Sequence, residues 1–368
     1  MKRRNFIKNT LYSSAALAST SILTNSCSNN KLKKITILHT NDVHSHIDPF
    51  DKDNDKFAFK GGISRRATII EKIRKENSNT LLLDAGDIFQ GTPYFNYYGG
   101  ELEFKLMSML KYDLATLGNH DFDNGIDGLY KQLPHANFNF VSANYDFKNT
   151  ILDTIVKPYQ MFYKDGIKIG IFGLGIELDG MVTKNLYKET KYLDPVEITQ
   201  GIVKTLKQDE NCDLIICLSH LGFKHDNLPN KISDIKLAKA TKDIDLIIGG
   251  HTHTFMKKPV IVDNIENDKV IINQVGCHGL FLGKIDKRQG ITRNKESNVQ
   301  EKIYKAYYYI NSRPNGNTIT ESNLMKHANN SLNKAVKLVN AFFIEKWKSY
   351  KEQMDKLEYS EFKDVKQF

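Results

Sequence analysis

From Lys33 onward, the chain alternates short runs of β-branched and aliphatic residues with longer stretches in which apolar residues recur every three or four positions. The short runs predict buried strands and the longer ones amphipathic helices. We predict strands over ITILHT, NTLLLDA, LATLG, FNFVSAN, IKIGIFGLG, DLIICLS, DLIIGG, KVIINQVG and FLGKID. We predict helices over ISRRATIIEKIRKE, ELEFKLMSMLKY and PVEITQGIVKTLKQDE. Strands that alternate with helices indicate an α/β layered domain.

The pattern changes after Asp286, where the chain becomes polar and rich in lysine. A turn at Arg313-Pro314-Asn315-Gly316 precedes a helical pattern over about residues 321–358. We expect this amphipathic helix to pack on the core or on a partner, and contact of its lysines with a membrane surface is the alternative. The chain thus divides into an N-terminal signal and linker (1–34), a main domain (35–286) and a basic, partly helical C-terminal extension (287–368).

The first residues resemble an export signal. Arg3 and Arg4 precede a weakly apolar segment of small residues that ends near Cys27, and this segment is too short and too rich in Ser and Thr for a membrane span. The run Arg-Arg-Asn-Phe-Ile-Lys resembles a twin-arginine signal, and Cys27 resembles a bacterial lipoprotein attachment cysteine. We predict an exported protein that is periplasmic or lipid-anchored at the bacterial envelope. Simple cleavage near Cys27, without lipidation, is the alternative.

The net charge of +9 suggests a nucleic-acid partner, but the charge is unevenly distributed along the chain. Residues 1–34 carry +7 and residues 287–368 carry +7, which leaves −5 for residues 35–286. The main domain is therefore mildly acidic, and we expect no nucleic-acid binding by it. The four cysteines are too few and too scattered for a disulfide framework or a thiolate zinc site.

Clusters of metal-binding side chains follow five of the predicted strands. In open α/β sheets ligands bind beyond the carboxyl ends of the strands, so these clusters are expected to converge on one site. One such histidine or aspartate alone is more often structural, but five clusters in order predict a common metal site. The clusters are Asp42 and His44; Asp84 and Asp87; Asn119, His120, Asp121 and Asp123; His220; and His251 and His253.

The types of ligand restrict the metal. Imidazoles, carboxylates and an amide without a thiolate suit Mn, Zn, Fe or Co, whereas calcium prefers oxygen ligands alone. Six or seven ligands exceed the need of one tetrahedral ion, so we predict two divalent metal ions that share a bridging carboxylate.

Taken in order, these clusters resemble the signature of the calcineurin-like metallophosphoesterases. HTNDVHSH, GDIFQGT, LATLGNHDFDNG, LSHLG, GGHTH and QVGCHGLFLGKID are similar to the catalytic domain of bacterial 5′-nucleotidases over about residues 35–286. The resemblance implies a four-layer αββα sandwich, in which two mixed sheets pack face to face between helices. It also implies hydrolysis of phosphate monoesters, with nucleotides as the expected substrates.

The resemblance implies a role for each matching residue. Asp42, His44, Asp87 and His253 would hold one ion, and Asp87, Asn119, His220 and His251 the other. His120 and Asp123 would form the catalytic pair: a metal-bound hydroxide attacks phosphorus while His120 supports the phosphoryl charge and Asp123 orients it. Asn119 and His120 would contact the substrate.

The remaining residues of the clusters receive structural roles. We expect Asp84 to be a neighbouring structural carboxylate and Asp121 to be exposed on its turn. We expect His39, His46, His135, His225 and His327 to be structural or exposed, and His278 is a candidate to border the pocket.

The resemblance ends after Asp286. Full-length 5′-nucleotidases of this kind add a C-terminal domain that stacks the base between aromatic rings, and none of its motifs is evident here. A separate polypeptide is therefore a candidate partner for base recognition. Two alternatives to a monoesterase remain: a phosphodiesterase or nuclease on the same site, and an accessory subunit without activity.

Overall fold

The computed structural model describes residues 33–289 and 305–310. In these residues the strands are β1 Lys33–Thr40, β2 Thr80–Asp84, β3 Leu114–Thr116, β4 Asn139–Val141, β5 Tyr145–Asp146, β6 Tyr159–Lys164, β7 Ile167–Leu174, β8 Lys191–Tyr192, β9 Leu214–Ser219, β10 Leu246–Gly249, β11 Val260–Asp263, β12 Lys269–Asn273, β13 Phe281–Gln289 and β14 Lys305–Ile310. The α-helices are α1 Ile63–Glu76, α2 Pro93–Tyr98, α3 Glu101–Met109, α4 Gly125–Gln132, α5 Lys184–Tyr187, α6 Pro195–Lys204 and α7 Asp234–Ala240. Short 3₁₀ turns cover His120–Phe122 and Leu133–His135, and α6 runs into a π-turn at Thr205–Asp209.

The strands form two six-stranded mixed sheets and one small pair. The first sheet has the order β14-β13-β1-β2-β3-β4, with β1 to β4 parallel and β13 and β14 antiparallel to their neighbours. The second has the order β11-β12-β10-β9-β7-β6, with a parallel centre and antiparallel edges. The strands β5 and β8 pair separately.

The two sheets pack face to face through an aliphatic layer, with helices on both outer faces. Ile37 and Leu83 from the first sheet and Ile216 and Ile248 from the second belong to this inner layer. Helices α1, α3 and α4 cover the outer face of the first sheet, and α6 and α7 cover that of the second. The predicted four-layer αββα sandwich is confirmed. The central strands are continuously apolar because both of their faces are buried, as in β9, where every residue is buried.

Several elements match the sequence predictions, and others were missed. The helix predicted over ISRRATIIEKIRKE is α1. The edge strand β6 was not predicted because YQMFYK is half-exposed and lacks an aliphatic run. Within the predicted extension 287–368, β13 ends at Gln289 and β14 adds a further strand to the first sheet. The predicted amphipathic helix at 321–358 and Cys27 lie outside the described residues. Among the described helices none is both long and apolar enough to cross a membrane.

Candidate functional site

Five tight turns at the carboxyl ends of β1, β2, β3, β9 and β10 bring the predicted site residues together. The turns after β1 and β2 are joined by backbone hydrogen bonds, from Asp42 N to Gly86 O (2.9 Å) and from His44 N to Asp87 O (3.0 Å). Non-glycine residues of these turns adopt left-handed backbone conformations, with φ of 50° at Asp42, 56° at Asp87 and 69° at His251. Such strain clusters at functional sites, where packing over-determines the backbone.

Glycine is needed at position 118 because the neighbouring turn lies so close. A Cβ on Gly118 would lie 2.2 Å from Asp87 Oδ1 and 2.5 Å from Asp87 N. The backbones of the turns after β2 and β3 are therefore in contact. This contact holds the Asp87 carboxylate against the start of the 3₁₀ turn His120–Phe122. His120 N donates to Asp87 Oδ1 at 2.8 Å.

Two adjacent groups of side chains have the spacing of metal ligands. The first group is Asp42, His44 and His253, and the second is Asp87, His220 and His251; within each group the ligand atoms lie within 4.8 Å of one another. Asp87 Oδ2 lies 3.0 Å from His220 Nε2 and 3.8 Å from His44 Nε2, so this carboxylate stands between the groups. Asn119 Oδ1 lies 3.0 Å from His251 Nδ1, next to the second group.

The donor atoms fit a pair of divalent ions. His44 Nε2 and His253 Nε2 face each other at 3.0 Å although each nitrogen is a natural metal ligand. Among the described residues, His220 Nε2 is buried without a hydrogen-bond partner, and it lies 3.0 Å from Asp87 Oδ2. Its other ring nitrogen contacts the carbonyl oxygen of Ala85 at 2.7 Å, the arrangement that orients a histidine ligand. Imidazole, carboxylate and amide donors without thiolate remain consistent with Mn, Zn, Fe or Co.

The metal groups strongly perturb one another's protonation. Burial lowers the pKa of His220, but the Asp87 and Asp42 carboxylates outweigh it and raise that pKa to about 10. Burial raises the pKa of Asp87, yet His220 and His44 bring it below its usual range. At His253 the hydrogen bond to Asp42 is the main cause of a pKa raised to about 10. A metal ion must therefore displace protons from these imidazoles, which makes its binding depend on pH.

His120 and Asp123 form a hydrogen-bonded pair beside the two groups. His120 Nδ1 lies 2.8 Å from Asp123 Oδ2, and the His120 ring centroid lies 5.3 Å from that of His44. The His120 side chain is 37% exposed, so it faces the opening of the site and not the core. The hydrogen bond to Asp123 is the main cause that raises the pKa of His120.

The expectation that Asp121 is exposed was wrong. Asp121 is buried, and its carboxylate accepts four backbone hydrogen bonds. The donors are Gly118 N at 2.8 Å, Asp87 N at 3.0 Å, Ile88 N at 2.9 Å and Phe89 N at 3.2 Å. Asp121 thus ties the turn after β3 to the turn after β2. The sequence hides this role because Asp121 and Asp123 both follow a strand in the same polar run.

Sequence reasoning also missed Asn41, which holds Asp42 in place. Asn41 Nδ2 donates to Asp42 Oδ2 at 2.5 Å and to the carbonyl oxygen of Gly276 at 2.6 Å, while its Oδ1 accepts from Val275 N at 3.0 Å. It therefore connects the turn after β1 to the segment after β12. Its position directly before Asp42 was the only available signal.

The other histidines are held by local contacts. His39 is buried, and its Nε2 lies 2.7 Å from Asn273 Nδ2. His225 Nε2 lies 2.8 Å from the carbonyl oxygen of Leu221. His278 borders the first metal group, with ring centroids 5.8 Å from His44 and 5.9 Å from His253. Asp84 is buried, and its carboxylate accepts from Thr40 Oγ1 at 2.5 Å and from Gly86 N at 2.9 Å.

Similarity to known proteins decides the family. The profile of the Calcineurin-like phosphoesterase family matches residues 35–255. The chain belongs to this family. It is 34% identical over 300 residues to the "Trifunctional nucleotide phosphoesterase protein YfkN" of Bacillus subtilis, a match that covers 72% of this chain and 19% of that protein.

Two further similar proteins are 5′-nucleotidases. The chain is 34% identical over 273 residues to a snake venom 5′-nucleotidase of Crotalus adamanteus, a match that covers 69% of this chain and 45% of the venom protein. The solved structure of a 5′-nucleotidase precursor from Thermus thermophilus superposes with a TM-score of 0.68 and 29% identity, over 84% of this chain and 59% of that one. The chain spans less than half the length of the two curated relatives. The family predicted from the motifs is confirmed, with the match lying in residues 35–255.

Proposed function

We propose that this protein hydrolyses the phosphate monoester of nucleotides, with two divalent metal ions as cofactors. One observation carries the proposal: two adjacent groups of ligand atoms meet at Asp87, and the hydrogen-bonded His120–Asp123 pair lies beside them. The identity to 5′-nucleotidases supports nucleotides as the substrate class.

In this proposal, the ligand sets meet at Asp87. Asp42, His44, Asp87 and His253 hold one ion, and Asp87, Asn119, His220 and His251 hold the other. Bound ions of this kind supply Lewis acidity and an activated water for attack on phosphorus. The metal itself is Mn, Zn, Fe or Co, because the donor set excludes a thiolate site and an all-oxygen calcium cage.

His120 is the catalytic residue from this chain that is not a metal ligand. Its Nδ1 is engaged by Asp123, so Nε2 on the opposite side of this partly exposed ring is the atom proposed to contact substrate. Its raised pKa favours the imidazolium, which supports the phosphoryl oxygens and can give a proton to the leaving alkoxide. Asp123 positions His120 by fixing its tautomer, and Asn119 and His120 together contact the substrate phosphate.

Phosphate release by metal-loaded protein tests the function. The substrates are adenosine 5′-monophosphate, a bis-ester and single-stranded DNA, each with manganese, zinc, cobalt or ferrous iron. We expect the monoester to be cleaved and His120→Ala to lower kcat by about 10²- to 10⁴-fold. His135→Ala is the matched control because His135 lies on the Leu133–His135 turn, outside both metal groups. Preference for the bis-ester or DNA would replace a monoesterase by a phosphodiesterase or nuclease. No cleavage, or full activity of His120→Ala, would contradict the proposal.

We further propose that the protein is exported, and that a lipid on Cys27 is its only link to a membrane. We also propose that a second polypeptide binds this chain and supplies base recognition. The helix predicted at 321–358 of this chain would be the element on which that polypeptide docks. Deletion of 321–358 should then remove one co-purifying protein from a pull-down, and an unchanged set of partners would refute the docking role.

A further inference from the structure

A row of aromatic rings begins at the first metal group and extends to the protein surface. The His278 ring centroid lies 4.2 Å from that of His46, and the His46 ring stacks on Phe50 with a centroid distance of 4.8 Å and an interplanar angle of 24°. Phe50 is 5.6 Å from Phe57, which lies 6.1 Å from Phe255 at an interplanar angle of 24°. Because His278 already contacts both His44 and His253, the row is continuous with the metal site.

Four of the five rings come from two segments that also carry metal ligands, and the fifth, His278, lies between β12 and β13. His46, Phe50 and Phe57 belong to the connection between β1 and α1, which carries His44 nearer its start. Phe255 follows His253 by two residues, and its ring lies so close to Gly276 that a Cβ there would meet it at 2.2 Å. The row is therefore held at both ends by the same turns that hold the site.

These phenylalanines do not serve the hydrophobic core. In the part of the chain that the structure describes, Phe50, Phe57 and Phe255 belong to none of the core clusters. Phe255 is 41% exposed, and Phe50 and Phe57 are half-buried. Adjacent, partly exposed aromatic rings next to a candidate active site are typical of a surface that binds a ligand.

We propose that this row, which we call the aromatic subsite (His46, Phe50, Phe57, Phe255 and His278), binds the nucleobase of the substrate. The inference rests on the proposed function, because it assigns the leaving-group side of the same site. Aromatic rings stack on any base, since every base presents a π-face, and this recognition needs no hydrogen-bond code. The main domain would then contact the base itself, and the proposed second polypeptide would add to this recognition.

Two substrates that differ only in the base test the subsite. Adenosine 5′-monophosphate and ribose 5-phosphate share the reacting phosphate and the sugar. We expect Phe57→Leu and Phe255→Leu each to raise KM for adenosine 5′-monophosphate about tenfold and to leave both KM and kcat for ribose 5-phosphate unchanged. Phe59→Leu is the matched control: Phe59 lies in the same connection and is 57% exposed, but it is not part of the row. The metal content of each variant is measured in parallel.

A second arm measures binding without catalysis. Ligand-observed NMR of adenosine with the metal-free protein should show binding that weakens about tenfold in Phe57→Leu and is unchanged in Phe59→Leu. Equal losses on both phosphate substrates, or adenosine binding that ignores Phe57, would overturn the subsite. Wild-type protein that cleaves both substrates with equal kcat/KM would overturn the subsite and keep the proposed function. If neither substrate were cleaved, the proposed function would fail, and adenosine binding would still decide the subsite.

Discussion

The buried carboxylate of Asp121 allows a stability prediction with a magnitude. Oδ1 accepts from the amides of Ile88 and Phe89, and Oδ2 accepts from those of Gly118 and Asp87. In Asp121→Asn the oxygen of the amide can serve only one of these pairs, and its NH₂ group faces the N–H donors of the other pair. For the ionised carboxylate, loss of two hydrogen bonds at about 1.5–3 kcal/mol each predicts a decrease of about 3–6 kcal/mol in the free energy of unfolding. That is a large part of the roughly 5–15 kcal/mol typical of a folded domain.

Urea unfolding of chelated protein, followed by circular dichroism, measures this loss without a contribution from metal binding. Asp123→Asn is the matched control, because Asp123 is only two residues away and its partner is the half-exposed His120. We expect it to change the free energy of unfolding by less than about 1 kcal/mol. Equal unfolding midpoints for wild type and Asp121→Asn would refute the reasoning, since the four amides would then not depend on the carboxylate.

Three further predictions concern chemistry, metal and location. Asp123→Asn removes the main cause of the raised His120 pKa, so His120 loses its proton at lower pH than in wild type. The alkaline limb of the kcat–pH profile should therefore move to lower pH, and an unmoved limb would exclude His120 as the proton donor. Chelation should lower Tm by roughly 10 °C in wild type and by a smaller amount in His220→Ala, which keeps all ligands of the first ion, as followed by scanning calorimetry. Equal shifts would mean that His220 is not a ligand. Cys27→Ala should move the protein from the membrane to the soluble envelope fraction on immunoblots, and an unchanged distribution would exclude the lipid anchor.

The convergence of the polar clusters could be predicted from the sequence, whereas several of the strands around them could not. The carboxyl end of a parallel strand is visible in the sequence as an apolar run followed by polar residues. This signal predicts that Asp42, Asp87 and His220 lie in one region, as the structure shows. The strand β6 escaped because a half-exposed edge strand has no continuous apolar run.

The misassignment of Asp121 has a different cause. Within the run HDFD, sequence offers no means of telling which of two carboxylates points inward, because that choice depends on the amides of a turn more than thirty residues earlier. Likewise, glycine is required at position 118 because Asp87 lies too close for any side chain there. This close approach is visible only in the fold. The role of a residue cannot be predicted from the local sequence pattern when it depends on contacts with backbone atoms far away in the sequence.

The position of the two ligand groups also has a consequence for folding. Asp42, His44 and Asp87 follow strands of one sheet, whereas His220, His251 and His253 follow strands of the other; His44 and His253 are 209 residues apart in the sequence. Closing so long a loop is slow, so each ligand group is completed only after the two sheets have docked. Metal binding should therefore follow the docking of the two sheets. If the chain is exported in its folded state, as the predicted twin-arginine signal implies, it would bind the metal that is available in the compartment where it folds.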